Sequence, residues 1–232
     1  MSELVQNQKE QKNQKIDERV NPQSRHQAHV HYVVAFCGGF LGIFPILNVV
    51  HLLGSAQTSN LIDIVTSIIK MDWNSACLHA IGALLYVLAV FLVTFIPNHT
   101  RLNVKLLSLG VDVAAAFVMW RFPLDLPATV YLFPTFFCMA FQWSAFGGAY
   151  GYVSSTIFST NNLKQLTSAL TEAYCNGKAE FVLKAKFFGA TLVGFHLGVA
   201  ASFVLWQFLG NVSFLGVIVP AGLAAVMILK KP

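Results

Sequence analysis

The chain has 232 residues, of which 56% are hydrophobic and only 11% charged, with a mean hydropathy of +0.62. A soluble globular domain carries about 25% charged residues, so the composition argues against an ordinary water-soluble fold. The net charge of +5 is no sign of a nucleic-acid partner, because on a membrane protein basic residues first report orientation.

Residues 1–28 are rich in Gln, Asn, Lys and Glu and nearly free of large apolar side chains. Such a segment cannot bury enough surface to fold, so a disordered tail is expected there, followed by a single membrane domain over 29–232. The first apolar run begins near residue 30 and lacks an A-x-A-like site after it, so it reads as a retained helix rather than a cleaved signal.

Six apolar segments then follow, at roughly Val30–Leu53, Ser75–Ile96, Leu102–Trp120, Ala128–Ala149, Phe187–Leu209 and Val212–Leu229. Each is long enough for a helix to cross a hydrocarbon core about 30 Å thick. Pro45, Pro134 and Pro220 lie inside three of them and mark candidate kinks or unwound points. Two shorter, more polar segments, Thr58–Lys70 and Ser159–Tyr174, follow the first and fourth spans.

With the N-terminus placed inside, the fifteen Lys and Arg divide thirteen to two between the inner and outer sides, leaving only Lys70 and Arg121 outside. That split follows the positive-inside rule and puts both termini in the cytoplasm. Trp73, Trp120 and Trp206 fall at the outer interface, as an aromatic belt would. The expected location is the cell membrane, multi-pass.

The two short segments resemble each other. TSNLIDIVTS aligns with TNNLKQLTSA, matching Thr58 with Thr160, Asn60 with Asn162 and Leu61 with Leu163. A Gly-Ala pair opens an apolar stretch in each following helix, Gly82–Ala83 and Gly189–Ala190. The fold class that follows is all-α: six transmembrane helices as two inverted three-helix repeats, about 30–120 and 128–229. Each repeat carries a short interrupted or re-entrant helix. An odd number of spans per half forces the inversion, and inverted repeats around a central site are the recurring plan of secondary transporters.

The paired T-x-N-L motifs, together with the stretch AFQWSAFGGAYGYVSSTIFSTNNLKQ from Ala140 to Gln165, resemble the YoaK-like family of bacterial membrane proteins. The resemblance covers about 30–229 and implies a six-helix membrane fold without an assigned activity. The family pattern has T-G-N where this chain has Ser59 and Asn161 in the middle place. The family's acid after a Gly in the first helix has no counterpart at Gly38–Leu41.

Asp112 lies ten residues past Leu102, about 15 Å into the bilayer. A carboxylate there costs about 2.5–3.5 kcal/mol on insertion scales, which marks a proton or cation site or a protonated link to a neighbouring helix. His196 is at similar depth and is either a proton relay with Asp112 or a neutral packing residue. Asn60, Asn162, Thr58 and Thr160 are suited to capping short helices or to facing a central cavity, and Gln142 and Asn48 to lining it. Gly38xxxGly42, Gly147xxxGly151 and Gly194xxxGly198 allow close helix contact within one subunit or in a homodimer.

No catalytic motif, P-loop or Cys/His metal spacing is present in the sequence, so neither an enzyme nor a cofactor is expected. Three function classes follow: a secondary transporter of a small solute, a passive channel of the same architecture, or a sensor or assembly partner without transport.

Overall fold

The computed structural model describes residues 20–42, 57–123 and 126–230. Helix α1 spans Pro22–Gly42. Asn21 opens it: its Oδ1 accepts from the Ser24 amide at 2.7 Å, and Pro22 takes the first helical position, where a missing N–H is harmless. An Asn-Pro start thus makes a polar stretch helical. The helix begins ahead of the tail boundary drawn at residue 28, while 1–19 lie outside the described residues.

Next come α2, Gln57–Ile69, and α3, Trp73–His99. The carboxylate of Asp72 caps α3 by accepting from the Ser75 amide. Helix α4, Val104–Arg121, is capped by Asn103 Oδ1, which accepts from the amides of Lys105 and Leu106. Helix α5, Ala128–Tyr131, turns at Leu132 into α6, Phe133–Ala145. After α7, Thr160–Leu170, the chain passes through a π-helical turn, Thr171–Cys175, and a 3-10 turn, Ala179–Phe181. The long helix α8, Val182–Leu209, leads through a 3-10 stretch, Gly210–Val217, into α9, Ile218–Leu229.

The described fold is all-α except for one hairpin, β1 Gly148–Ala149 and β2 Tyr152–Val153. Its two-residue loop, Tyr150–Gly151, has positive φ at both positions, +55° and +74°. That is the type I′ turn whose twist matches paired strands.

The six apolar segments take several forms. Helix α3, with 27 residues, and the continuous helical run Ala179–Leu229, with 51, are long and apolar enough to cross a membrane. The run Ala179–Leu229 contains the last two expected segments. The first segment is helical to Gly42, and its remainder, with Pro45 and Asn48, lies outside the described residues. The third is α4, which carries Lys105, Asp112 and Arg121. The fourth is broken at Leu132 and leaves the helix after Ala145. Pro134 and Pro220 sit in the first turns of α6 and α9, so each starts a helix rather than kinking one.

The principal packings are α1 on α8, α3 on α6, α2 on α3, α7 on α8, α4 on α6 and α1 on α9, with α4 meeting α9 and α1 meeting α6. The α1–α8 seam is backbone-close. A Cβ added at Gly39 would overlap the Phe195 carbonyl, and one at Gly198 the Phe36 carbonyl. Gly194 and Gly198 therefore serve contact within the chain. Gly147 precedes the hairpin and Gly151 lies in its loop, both off any helix, and a Cβ at either would meet nothing within 4 Å.

The distribution of polarity is turned outward-apolar. Asp112, Ser108, Thr135, Gln142, Thr191 and Ser202 are buried, whereas Leu84, Val87, Phe91, Leu197, Phe203 and Val219 are exposed. An apolar exterior over buried polar groups fits a membrane protein.

Candidate functional site

Asp112 is fully buried on α4, and neither carboxyl oxygen has a hydrogen-bond partner among the described residues. Helix α4 packs on α6, and both meet α1, so Asp112 belongs to a three-helix junction. Ser108, one turn earlier on the same helix, is also fully buried, with its hydroxyl unpartnered among the described residues. Residues four apart share a helix face, so Ser108 and Asp112 form one polar stripe, and Lys105 extends it toward the start of α4.

Gln142 lies beside this region. Its Nε2 donates to the Val34 carbonyl at 3.1 Å and to Thr156 Oγ1 at 2.8 Å, while its Oε1 is unpartnered among the described residues. It joins α6 to α1 and to the non-helical segment Ser154–Phe158 that follows the hairpin. Buried backbone outside a helix must find partners within the protein. Asn162 supplies several: Nδ2 donates to the carbonyls of Ser155 at 2.6 Å and Phe158 at 3.1 Å, and Oδ1 accepts from the Ser155 amide and the Ser154 hydroxyl. Asn60 instead binds His79 on α3.

Both asparagines thus tie a short helix to its surroundings from within its first turn. Neither caps it as the sequence suggested. The N-cap position of α7 is Ser159, which makes no side-chain cap bond. Thr58 and Thr160 are exposed and do not join their asparagines.

His196 is exposed on α8 and donates from Nδ1 to the Leu192 carbonyl at 2.8 Å. Of its two readings, the relay would need a hydrogen bond to Asp112, and none is formed among the described residues. Asn48 lies outside the described residues.

A cavity of about 950 Å³ opens between the start of α1, the start of α4, Phe146–Gly148 and Ile228 of α9. His31, Lys105 and Ser108 were not singled out from the sequence. His31 lines the cavity at 2% exposure, and neither of its ring nitrogens is bonded among the described residues. The available signal was spacing: Ser108 stands one turn from the intramembrane acid, and His31 precedes Gly38 by seven residues on one face of α1.

Residues 30–229 match the family described as "Protein of unknown function (DUF1275)". The chain belongs to this family. The YoaK-like resemblance read from the T-x-N-L motifs falls within DUF1275. No curated protein and no solved structure shows significant similarity to the chain. Asp112, Ser108, Gln142, Asn60, Asn162, His31 and Lys105 all lie within the DUF1275 match. The cavity wall formed by Asn21–Gln27 lies just ahead of it.

Proposed function

We propose that this DUF1275 member is a multi-pass membrane protein of two inverted halves that transports a small solute, with Asp112 as the coupling acid. The observation that carries the reading is the buried carboxyl of Asp112, unpartnered among the described residues, on α4 where it packs with α6 and α1. A carboxyl at this depth is costly, and structural glue would have a hydrogen-bond partner.

The inverted arrangement is supported by the packing pattern. Exchanging α1 with α6, α2 with α7, α3 with α8 and α4 with α9 maps the principal helix contacts onto one another. The α1–α8 contact becomes α6–α3, α2–α3 becomes α7–α8, and α1–α9 becomes α6–α4. In both halves a helix stops, non-helical chain or chain outside the described residues follows, and a short Asn-anchored helix comes next. The orientation is supported by the cavity, whose four walls are all chain points that the lysine and arginine count assigns to the cytoplasm.

The test has two arms. Ser59→Cys and Asn161→Cys, each in a background lacking the exposed Cys77 and Cys175, are labelled by an impermeant reagent from opposite faces; labelling from one face sinks the inversion. In liposomes, solute flux driven by a pH gradient is abolished in Asp112→Asn. Undiminished gradient-driven flux in that variant would remove Asp112 from coupling, and equal flux with and without a gradient would make the protein a channel.

A further inference from the structure

The cavity beside α1 and α4 has a chemistry of its own. At about 950 Å³ it stands near the upper end of cavities that hold small organic ligands. Among the described residues Lys105 is the only Lys, Arg, Asp or Glu in its lining. The Lys105 ammonium stands 5.9 Å from the centroid of the Phe146 ring and has no carboxylate partner among the described residues. The first turn of the 18-residue helix α4 is also part of the lining, and a helix start favours negative charge.

The second observation is His31. It is almost wholly buried, lines the cavity and has two ring nitrogens unbonded among the described residues. Phe187 holds the ring from behind, with centroids 5.4 Å apart. A buried imidazole without a partner is unfavourable unless something in the cavity supplies one. By contrast, His26 is committed, bonding from Nε2 to the Met227 carbonyl at 2.8 Å. Between these polar groups the wall is apolar, with Val30, Leu102, Val104, Phe146 and Ile228.

We infer that this cavity binds a small soluble organic anion, a carboxylate on an apolar body. Lys105 Nζ holds the carboxylate, and His31 donates to it from one ring nitrogen. The apolar body lies against Phe146 and the aliphatic wall. The site stands on the cavity's own residues and not on coupling at Asp112. If both hold, the face of α4 that runs from Lys105 through Ser108 to Asp112 connects solute and coupling acid.

Benzoate titrated calorimetrically into the full-length protein in phosphatidylcholine nanodiscs is the test. Saturable binding is expected. Losing a charge-assisted bond, in Lys105→Gln, weakens it about tenfold or more. Lys105→Arg keeps the charge and retains binding, which separates loss of the site from loss of the fold. Lys164→Gln, at an exposed lysine on α7 outside the lining, leaves binding unchanged, and the uncharged isostere benzamide binds about tenfold more weakly or worse. Calorimetry reads binding with no gradient and no flux, so a failure of coupling is distinguishable from a failure of this site. Absence of saturable binding, equal affinity in Lys105→Gln, or benzamide binding as tightly as benzoate would overturn the inference. So would loss of benzoate binding in discs containing phosphatidylglycerol, which would assign the cavity to a lipid headgroup.

Discussion

Asn60 and His79 clasp each other across α2 and α3. Asn60 Oδ1 accepts from His79 Nδ1 at 2.8 Å, and Asn60 Nδ2 donates to the His79 carbonyl at 2.9 Å. The first bond fixes the His79 tautomer with hydrogen on Nδ1. The second involves backbone only on the His79 side, so His79→Ala removes one bond and Asn60→Ala removes both. A double-mutant cycle on thermal or denaturant midpoints therefore isolates the ring–amide bond. Polar bonds between membrane helices average about 0.6 kcal/mol and reach about 1.7 kcal/mol, and a coupling in that range is expected. Strict additivity would mean that α2 is held to α3 by something else.

Glycine substitutions separate close helix contact from open helix surface. A Cβ at Gly38 would overlap the Thr156 carbonyl oxygen and fall 2.8 Å from Gln142 Nε2, where neither the backbone nor the bonded amide can yield cheaply. At Gly110, in the middle of α4, a Cβ would meet nothing within 4 Å. Gly38→Ala is expected to lower the melting midpoint sharply or abolish folded protein in size-exclusion chromatography. Gly110→Ala is expected to be neutral or stabilising, by up to about 1 kcal/mol, because alanine restricts the unfolded chain. Equal behaviour of the two variants would refute the close packing of α1 against the Ser154–Phe158 segment.

The cap on α3 predicts a pH dependence outside the membrane. The Ser75 hydroxyl donates to Asp72 Oδ2 at 2.7 Å and the Ser75 amide to Oδ1 at 3.1 Å, and these bonds hold the carboxyl below its ordinary value of 3.8. A carboxyl with a depressed folded-state value stabilises the fold above the unfolded-state value and loses that contribution as pH falls through the folded one. The midpoint gap between wild type and Asp72→Ala should be full at neutral pH, constant down to about pH 5, and should close progressively below 3.8. A gap that widens on acidification would show that Asp72 does not act as an ionised cap.

Much of this layout was legible because it follows periodicity. The short segments Thr58–Lys70 and Ser159–Tyr174 correspond to α2 and to α7 with its π-helical turn. What spacing left hidden was facing. Residues two apart on a helix point about 200° away from each other, so Thr58 and Asn60 cannot share a face, nor can Thr160 and Asn162. The asparagines turned inward and the threonines outward. The same geometry governs His196. Gly194 and Gly198 approach the carbonyls of Tyr32 and Phe36 on α1, so a residue midway between them points away from that seam. Depth alone gave His196 and Asp112 the same level and left their facing open, and the glycine stripe turns His196 away from the α1 seam. Gly147xxxGly151 misled for the converse reason: its spacing has packing meaning only in a helix, and here it runs from the edge of a hairpin into its loop.

Asp112 offers a test in which stability and function move in opposite directions. If the carboxyl were structural glue, it would have a partner, and its removal would loosen the fold. Both of its oxygens and the Ser108 hydroxyl are buried and unpartnered among the described residues. Replacing it with Asn or Val should therefore leave the melting midpoint unchanged or raise it, because a group costing about 2.5–3.5 kcal/mol to insert is gone. Gradient-driven flux should be lost in the same variants, the pattern expected where a site is kept for function at the expense of stability. Ser108→Ala should raise the midpoint less, since an unpartnered hydroxyl is less costly than an unpartnered carboxyl. Thermal unfolding of the three variants in one detergent, beside flux in one liposome preparation, decides the matter. A large drop in midpoint for Asp112→Asn would turn the residue back into a structural link between α4 and its neighbours.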